Sequence, residues 1–208
     1  MSILRQFHPA DHVDIAGALN NVGNVYRELG ELDKALENEQ LALAMYKQVG
    51  LPYFHPDNAD CIQNMAFVHH DKEEYEMAQK LYEEALAIRR KCQLPTHPDI
   101  ASNLNDLGHL LCDVERIDEG FAYFEEAYNL RIENETVSPI DLADSLNNMG
   151  VVNRFRGNLT TAIDCYSRAL AMYEATLPSD HDLIRRTRSN RQLAQGLALS
   201  MESDPDAV

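Results

Sequence analysis

Residues 82–108 read YEEALAIRRKCQLPTHPDIASNLNDLG, which places the end of one helical pattern, a proline loop and the start of another in one stretch. In the second pattern, Ala101 lies three residues before Leu104, and Leu107 and Gly108 lie three and four residues after it. Apolar or small residues at positions i−3, i, i+3 and i+4 form one stripe of an amphipathic helix. Leu104, at position i, is the anchor of this helix.

The same pattern occurs four times in the chain. Its anchors, spaced 43, 42 and 42 residues apart, are Leu19, Ile62, Leu104 and Leu146. A small residue precedes each anchor by three positions: Ala16, Ala59, Ala101 and Ala143. Another follows it by four: Gly23, Ala66, Gly108 and Gly150. A helical Gly costs about 1 kcal/mol relative to Ala, so the recurring glycines predict a close approach of a neighbouring helix.

Each unit continues into a second helix, called helix B; the first is helix A. A turn is predicted between them near Gly30, Glu73, Glu115 and Gly157. Helix B repeats a small residue at Ala35, Ala78, Gly120 and Ala162, and again at Ala42, Ala85, Ala127 and Ala169. One further slot of helix B is aromatic at Tyr82, Phe124 and Tyr166, but the first repeat has Glu39 there.

Proline-containing loops set the predicted boundaries. We expect an N-terminal extension (1–11), one repeat domain (12–199) and a disordered tail (200–208). The repeats are predicted at 12–54, 55–96, 97–137 and 138–180, followed by a polar capping helix at 181–199. Helices are predicted at 13–29, 32–49, 57–71, 74–92, 99–113, 117–134, 140–156, 159–176 and 182–199.

These repeats resemble tetratricopeptide repeats, although their period is longer than the usual 34 residues. The 42-residue period, the His-Pro-Asp before helix A and the Leu-Asn-Asn inside it (residues 19–21 and 146–148) resemble kinesin light chain and nephrocystin-3. The resemblance implies an all-α fold, an α-solenoid in which antiparallel helix pairs stack into a right-handed superhelix. It also implies that helix A lines the concave side.

Two polar rows on helix A form what we call the amide ladder. Position i+1 holds Asn20, Gln63, Asn105 and Asn147, and position i+2 holds Asn21, Asn64, Asp106 and Asn148. Asn is a mediocre helix former, so its recurrence needs a reason. One interpretation is that the amides bind the backbone of an extended peptide, since each offers two donors and an acceptor. The other is that they bond a neighbouring helix or loop.

The predicted peptide-binding groove combines the ladder with variable positions further along helix A. Its residues are Asn20, Asn24, Arg27, Gln63, Asn64, Phe67, His70, Asn105, His109, Asn147, Asn148, Arg154 and Arg186. Asn20, Asn64, Asn105 and Asn147 are expected to hold the peptide backbone. Selectivity is expected from Arg27, Phe67, His109 and Arg154. The arginine cluster around Arg186 is either a solubilising cap or a grip for an acidic end of the ligand.

Charge narrows the choice of partner. The chain has 34 Asp and Glu against 18 Lys and Arg, for a net charge of −16. Nucleic acid and anionic membranes are also negative, so neither is an expected partner. We expect a basic or neutral protein or peptide instead. No apolar run approaches the roughly 20 residues of a membrane span, and the four Cys are dispersed, which favours a cytoplasmic location.

No residue pattern predicts catalysis, a cofactor or a metal site. His12, His55, His97 and His181 recur once per repeat at the start of helix A, which is typical of a turn residue. The sequence therefore predicts a non-catalytic adaptor. The alternative is a structural or regulatory module that self-associates or is autoinhibited by a terminal segment, either Ile3–Phe7 or Glu202–Val208. The expected form is a monomer or a weak homodimer.

Overall fold

The structure of the protein, a computed structural model, describes residues 13–134 and 136–203. Every regular element within these ranges is an α-helix. The helices are α1 (Val13–Glu28), α2 (Leu32–Gln48), α3 (Pro56–Asp71), α4 (Tyr75–Cys92), α5 (Pro98–Asp113), α6 (Ile117–Glu133), α7 (Pro139–Phe155), α8 (Leu159–Thr176) and α9 (Asp182–Ser203). Helices A and B alternate as predicted, and all helix ends except the last agree within one residue.

The helices fall into two compact units that divide between Val114 and Glu115. In the first unit, each of α1 to α4 packs on the next helix, and α1 also contacts α3. In the second unit, each of α6 to α8 packs on the next helix, and α7 also contacts α9. Within each unit, packing therefore joins helices that are one or two apart in sequence, as expected of a helical repeat.

The predicted helix A stripe forms the core of both units. All four anchors are buried, and the four alanines that precede them are at most 1% exposed. In the first unit, Leu19 packs with Ile15 of α1 and Tyr46 of α2. In the second unit, Leu146 packs with Leu170 of α8 and Ile184 of α9. The sequence pattern therefore identified the residues that join helix A to its own helix B.

Two of the repeated glycines lie where helix B comes closest. A Cβ atom added at Gly23 would lie 2.4 Å from Glu39 Oε1, and one added at Gly150 would lie 2.6 Å from Tyr166 Cε1. Both distances are shorter than a carbon contact allows. The close approach predicted from these glycines is thus confirmed at both positions.

The four turns between helices A and B share one backbone conformation. Gly30 and Gly157 have φ angles of 75° and 76°, and Glu73 and Glu115 have φ angles of 61° and 63°. All four lie in the left-handed region, which is favourable for Gly and costs other residues about 1–2 kcal/mol. The predicted turn positions are confirmed, with two glutamates accepting a conformation that suits glycine.

The recurring histidines cap the N-termini of helices. The Nδ1 atoms of His55, His97 and His181 accept hydrogen bonds of 3.2–3.3 Å from the backbone N–H two residues later. Ser138 Oγ does the same for Ile140. Such a bond satisfies an N–H that has no partner inside the helix. These three histidines are therefore turn residues, as predicted; His12 lies outside the described residues.

The C-terminal part of the chain departs from prediction in two respects. Helix α9 continues to Ser203, so the predicted disordered tail is wrong for residues 200–203. The last turns of α9 are also less polar than a cap requires, because Leu193, Leu197 and Met201 are 44–55% exposed. The predicted extension at 1–11 and residues 204–208 lie outside the described residues.

Candidate functional site

The amide ladder is hydrogen-bonded between repeats in the first unit. Asn64 Nδ2 on α3 donates to Asn20 Oδ1 on α1, and it also donates over 3.3 Å to Glu39 Oε1. Gln63 Nε2 donates to Asp106 Oδ2 on α5. The i+1 residue of one repeat thus contacts the i+2 residue of the next. This arrangement corresponds to the second interpretation of the ladder, in which amides bond a neighbouring helix.

Burial changes the expected roles of two ladder residues. Gln63 and Asn105 are only 9% and 8% exposed, so the prediction that they face solvent is wrong. Side chains at i+1 of helix A point toward the adjacent helix A, as the Gln63–Asp106 bond shows. Asn20 and Asn147 are half-buried, and Asn147 Oδ1 accepts a 3.1 Å bond from Thr187 Oγ1 of α9.

A second row of contacts runs parallel to the ladder at the end of helix A. Arg27 Nε lies 3.1 Å from Asp71 Oδ2, and His70 Nε2 lies 2.9 Å from Asp113 Oδ2. Each pair joins a basic residue at i+8 to an aspartate at i+9 of the following repeat. Sequence reasoning found the basic residues but missed both aspartates. Their shared offset from the anchors was the signal that could have revealed them.

Aromatic side chains lie beneath this row. The guanidinium of Arg27 lies 4.7 Å from the centroid of the Phe67 ring, which meets Tyr82 edge to face at 5.4 Å. His70 also meets the Tyr82 ring edge to face, at 6.4 Å. Tyr82 Oη is buried and has no hydrogen-bond partner in the described part of the chain. Arg27, Phe67 and His70 are therefore held together on one supported surface.

The remaining predicted groove residues differ in exposure. Asn24 and Asn148 are half-buried, and His109 is exposed. In the second unit, Arg154 is half-buried with its guanidinium 4.5 Å from the Phe155 ring centroid, and Arg186 is exposed. Two other arginines of the same cluster form ion pairs, Arg185 with Asp182 and Arg188 with Glu174. Part of the positive charge around Arg186 is thus neutralised locally.

Two buried carboxyl groups lie among the groove residues of the first unit. Glu39 is 1% exposed, and burial raises its pKa to about 8, although hydrogen bonds with Cys61 and Asn64 oppose the shift. Burial also raises the pKa of Asp106 to about 6, against the opposing hydrogen bond from Gln63. The ionisation of both groups is therefore coupled to the packing of the ladder.

The site offers non-covalent recognition through amides, arginines, imidazoles and aromatic rings. In residues 13–134 and 136–203, no group of three His, Cys, Asp or Glu side chains is arranged to hold a metal ion. A search of the same residues finds no helix with the length and hydropathy needed to cross a bilayer.

Comparison with known families identifies the repeats. Two profiles, each described as tetratricopeptide repeat, match the chain: one covers residues 58–133 and the other residues 15–57 and 142–182. Together they account for most of its length. The chain belongs to the tetratricopeptide-repeat family. A search of curated protein sequences gave no significant match.

Solved structures of tetratricopeptide-repeat proteins are similar to this chain. BtubC (BKLC) from P. vanneervenii is 26% identical with a TM-score of 0.72; the match covers 79% of this chain but only 65% of BtubC. A Podosopora anserina protein described as a kinesin light chain with nearly identical TPR-like repeats is 17% identical, with a TM-score of 0.70 and coverage of 92% and 95%. A second structure from Podosopora anserina is 16% identical, with a TM-score of 0.69 and coverage of 95% and 99%. These matches confirm the all-α repeat fold and the kinesin light chain-like resemblance.

Proposed function

We propose that this chain is a non-catalytic adaptor that binds an extended segment of a partner protein along the helix A face. Tetratricopeptide repeats generally mediate protein–protein interaction, and proteins of the kinesin light chain-like type are typically scaffolds. The observation that carries the proposal is the row of polar and aromatic side chains on α1, α3 and α5. Asn20, Arg27, Asn64, Phe67 and His70 belong to this row.

Contacts between repeats support binding by fixing the row before a ligand arrives. The Asn20–Asn64 bond and the Arg27–Asp71 and His70–Asp113 pairs each restrain a side chain that the ligand would otherwise have to order. Immobilising a flexible side chain on binding costs about 0.5–1.5 kcal/mol. The two interpretations of the ladder are therefore compatible, because bonds between helices can preorganise a peptide-binding surface.

The proposed roles follow the exposure of each residue. The half-buried or exposed residues contact the ligand: Asn20, Asn24, Arg27, Asn64, Phe67, His70, His109, Asn147, Asn148, Arg154 and Arg186. Gln63 and Asn105 support them from below. The net charge of −16 favours a basic or neutral partner, so the affinity falls as salt concentration rises.

The test compares matched double variants on a partner captured with the intact chain. Arg27→Ala with His109→Ala removes two groove residues, whereas Lys80→Ala with Arg90→Ala removes two exposed cations from α4, a helix B. Loss of two contacts at about 0.5–1.5 kcal/mol each weakens binding about 5- to 150-fold in the groove variant. Calorimetry measures both affinities. An unchanged affinity for the groove variant, with weaker binding by the α4 variant, would assign recognition to helix B.

A second candidate function, self-association, rests on the apolar stripe of α9. Leu193, Leu197 and Met201 lie four residues apart and are all exposed, so they form one continuous face. The self-ligand predicted at Ile3–Phe7 lies outside the described residues, as do residues 204–208 of the other. Light scattering across a concentration series tests this candidate. A dimer that Leu197→Glu dissolves would support it, and a monomer at all concentrations would refute it.

A cytoplasmic location is proposed from the cysteines. Cys61, Cys92, Cys112 and Cys165 are all unpaired. Unpaired cysteines are typical of reducing compartments. Burial raises the pKa of the Cys61 thiol, which further lowers its reactivity at neutral pH.

A further inference from the structure

One slot near the end of helix B carries a polar side chain in every repeat: Tyr46, Arg89, Arg131 and Tyr173. In the second repeat, Arg89 Nη2 donates a 2.7 Å bond to Asp60 Oδ1. In the fourth repeat, the hydroxyl of Tyr173 donates to Asp144 Oδ1. Asp60 and Asp144 both lie two residues before the anchor of their helix A. This slot therefore receives a carboxylate partner from its own repeat in two of the four units.

The first repeat lacks that carboxylate because Gly17 occupies the position equivalent to Asp60 and Asp144. Tyr46 is 3% exposed and its ring packs with Ile15 and Leu19. A Cβ atom at Gly17 would lie 3.6 Å from Tyr46 Oη, so the hydroxyl faces the space that the missing side chain leaves. No hydrogen bond joins this hydroxyl to any residue in the described ranges. Leaving a buried polar group without a partner costs about 1–3 kcal/mol.

The hydroxyl opens into a cavity of about 430 Å³, which we call the Tyr46 pocket. Its walls include Asp14, Gly17 and Asn20 of α1 and Asp57 and Asp60 of α3. Three carboxylates thus surround the hydroxyl, and Arg89 pairs with only one of them, Asp60. Asp57 is half-buried and its nearest cationic contact is His55, at 3.6 Å. The pocket therefore combines net negative charge with a buried hydrogen-bonding group.

We propose that the Tyr46 pocket binds one arginine or lysine side chain of the partner segment. This inference rests on the proposed function and names the partner class as a basic peptide. Arginine and lysine carry only donors, which match the acceptors supplied by Tyr46, Asp57 and Asp14. Charge-assisted hydrogen bonds are about twice as strong as neutral ones. Asn20 lines the pocket and belongs to the amide ladder, so the pocket lies beside the proposed path of the peptide.

A short peptide tests the pocket without knowledge of the partner. The probe is acetyl-Gly-Ser-Gly-Arg-Gly-Ser-amide, and its control has citrulline, which keeps the shape of arginine without the charge. NMR titration of the full chain follows the Gly17 amide and the Tyr46 ring. We expect the arginine peptide to shift both signals with at least tenfold higher affinity than the citrulline peptide. Equal affinities, or no shift at Gly17 and Tyr46, would overturn the proposal.

Substitution at Gly17 tests whether the open space matters. Gly17→Asn supplies Tyr46 with a local partner and fills the pocket without adding charge. The 3.6 Å clearance accommodates a Cβ, so the variant keeps the fold, which its circular dichroism and melting temperature verify. We expect at least a tenfold loss of affinity for the arginine peptide. Wild-type affinity in a folded Gly17→Asn variant would overturn the proposal.

A matched pair separates a local effect from general electrostatics. Asp57 and Asp99 each follow the His-Pro that begins a helix A, so Asp57→Asn and Asp99→Asn make the same charge change at equivalent positions. We expect only Asp57→Asn to weaken the arginine peptide, by about tenfold. Equal weakening by both variants would overturn a specific pocket.

The outcomes also separate the pocket from the groove. Arg27 and His109 do not line the Tyr46 pocket. If their double variant binds the captured partner normally but Gly17→Asn does not, the groove proposal fails and the pocket stands. If the double variant loses the partner while Gly17→Asn retains both the partner and the arginine peptide, the groove stands and the pocket fails.

Discussion

In the fourth repeat, the Tyr166 ring fills the space beside Gly150, whereas in the first repeat Glu39 occupies the equivalent space beside Gly23. Both side chains are at most 1% exposed. An aromatic ring contributes apolar burial and close packing. A carboxyl group in the same place has a raised pKa and must find hydrogen bonds, which Glu39 makes with Asn64 and Cys61.

The same two repeats differ again at the end of helix B. Tyr173 has an aspartate partner in its own repeat, whereas Tyr46 faces Gly17 and an open cavity. The fourth repeat thus fills both slots with contacts that stabilise the helix pair. The first repeat keeps polar groups in both. This difference indicates that equivalent positions of one repeat can serve packing in one copy and recognition in another.

Truncation of the slot beside the glycine gives the largest expected difference. Tyr166→Ala removes a fully buried ring, and such changes cost about 3–5 kcal/mol. Glu39→Ala removes a smaller side chain together with the desolvation cost of a buried carboxyl, so it destabilises much less. Chemical unfolding at pH 7, monitored by circular dichroism, measures both. Equal losses would mean that Glu39 packs as effectively as the ring.

The pH dependence of stability gives the next difference. Burial raises the pKa of Glu39 from 4.5 to about 8. Between these values the unfolded chain has lost a proton that the folded chain retains, so stability falls as pH rises through this window. Glu39→Gln cannot ionise and should gain about 1–3 kcal/mol relative to the wild type between pH 5 and pH 8.

Unfolding midpoints of both proteins at pH 5, 6, 7 and 8 measure this gain. Other titrating groups, such as Asp106, are present in both proteins, so their contributions cancel in the comparison. The Tyr166 slot has no carboxyl, and Tyr166→Phe serves as a control whose curve remains parallel to the wild type. A parallel curve for Glu39→Gln would contradict the burial of an ionisable Glu39.

Substitution of the two glycines gives the smallest expected difference. Gly150→Ala forces a methyl group against a fully buried ring and should destabilise by about 1–3 kcal/mol. Gly23→Ala meets mainly the carboxylate end of Glu39, which can rotate away, so its cost is smaller. Gly196→Ala in α9 has no atom within 4 Å of the new Cβ and should stabilise by about 0.5–1 kcal/mol. Thermal unfolding ranks the three variants, and a less stable Gly23→Ala would reverse the comparison.

Periodicity explains why the fold could be predicted from the sequence. The spacing of Leu19, Ile62, Leu104 and Leu146 repeats the same local geometry, and the His-Pro pairs and turn glycines mark the helix ends. The end of α9 could not be predicted in this way. Residues 200–203 carry no repeat pattern, yet they continue a helix that is already formed, which costs little once nucleation has occurred.

The candidate site was only partly predictable. The sequence placed Arg27, His70 and the amides on helix A, because a helix face follows from spacing. It did not reveal that Gln63 and Asn105 are buried, since this depends on how closely adjacent A helices pack. The Tyr46 pocket was missed because it arises from a side chain that Gly17 lacks, and such a space becomes visible only when the helices are assembled.

Site-specific photo-crosslinking tests the central claim, that the helix A face holds the partner. A photoreactive residue at His109, which is exposed on helix A, is compared with one at Glu83, which is exposed on α4, a helix B. Mass spectrometry counts the crosslinks to the captured partner, with the wild-type affinity of each labelled chain verified first. We expect crosslinks from His109 and none from Glu83. Crosslinks from Glu83 alone would contradict the account and assign partner binding to the helix B face.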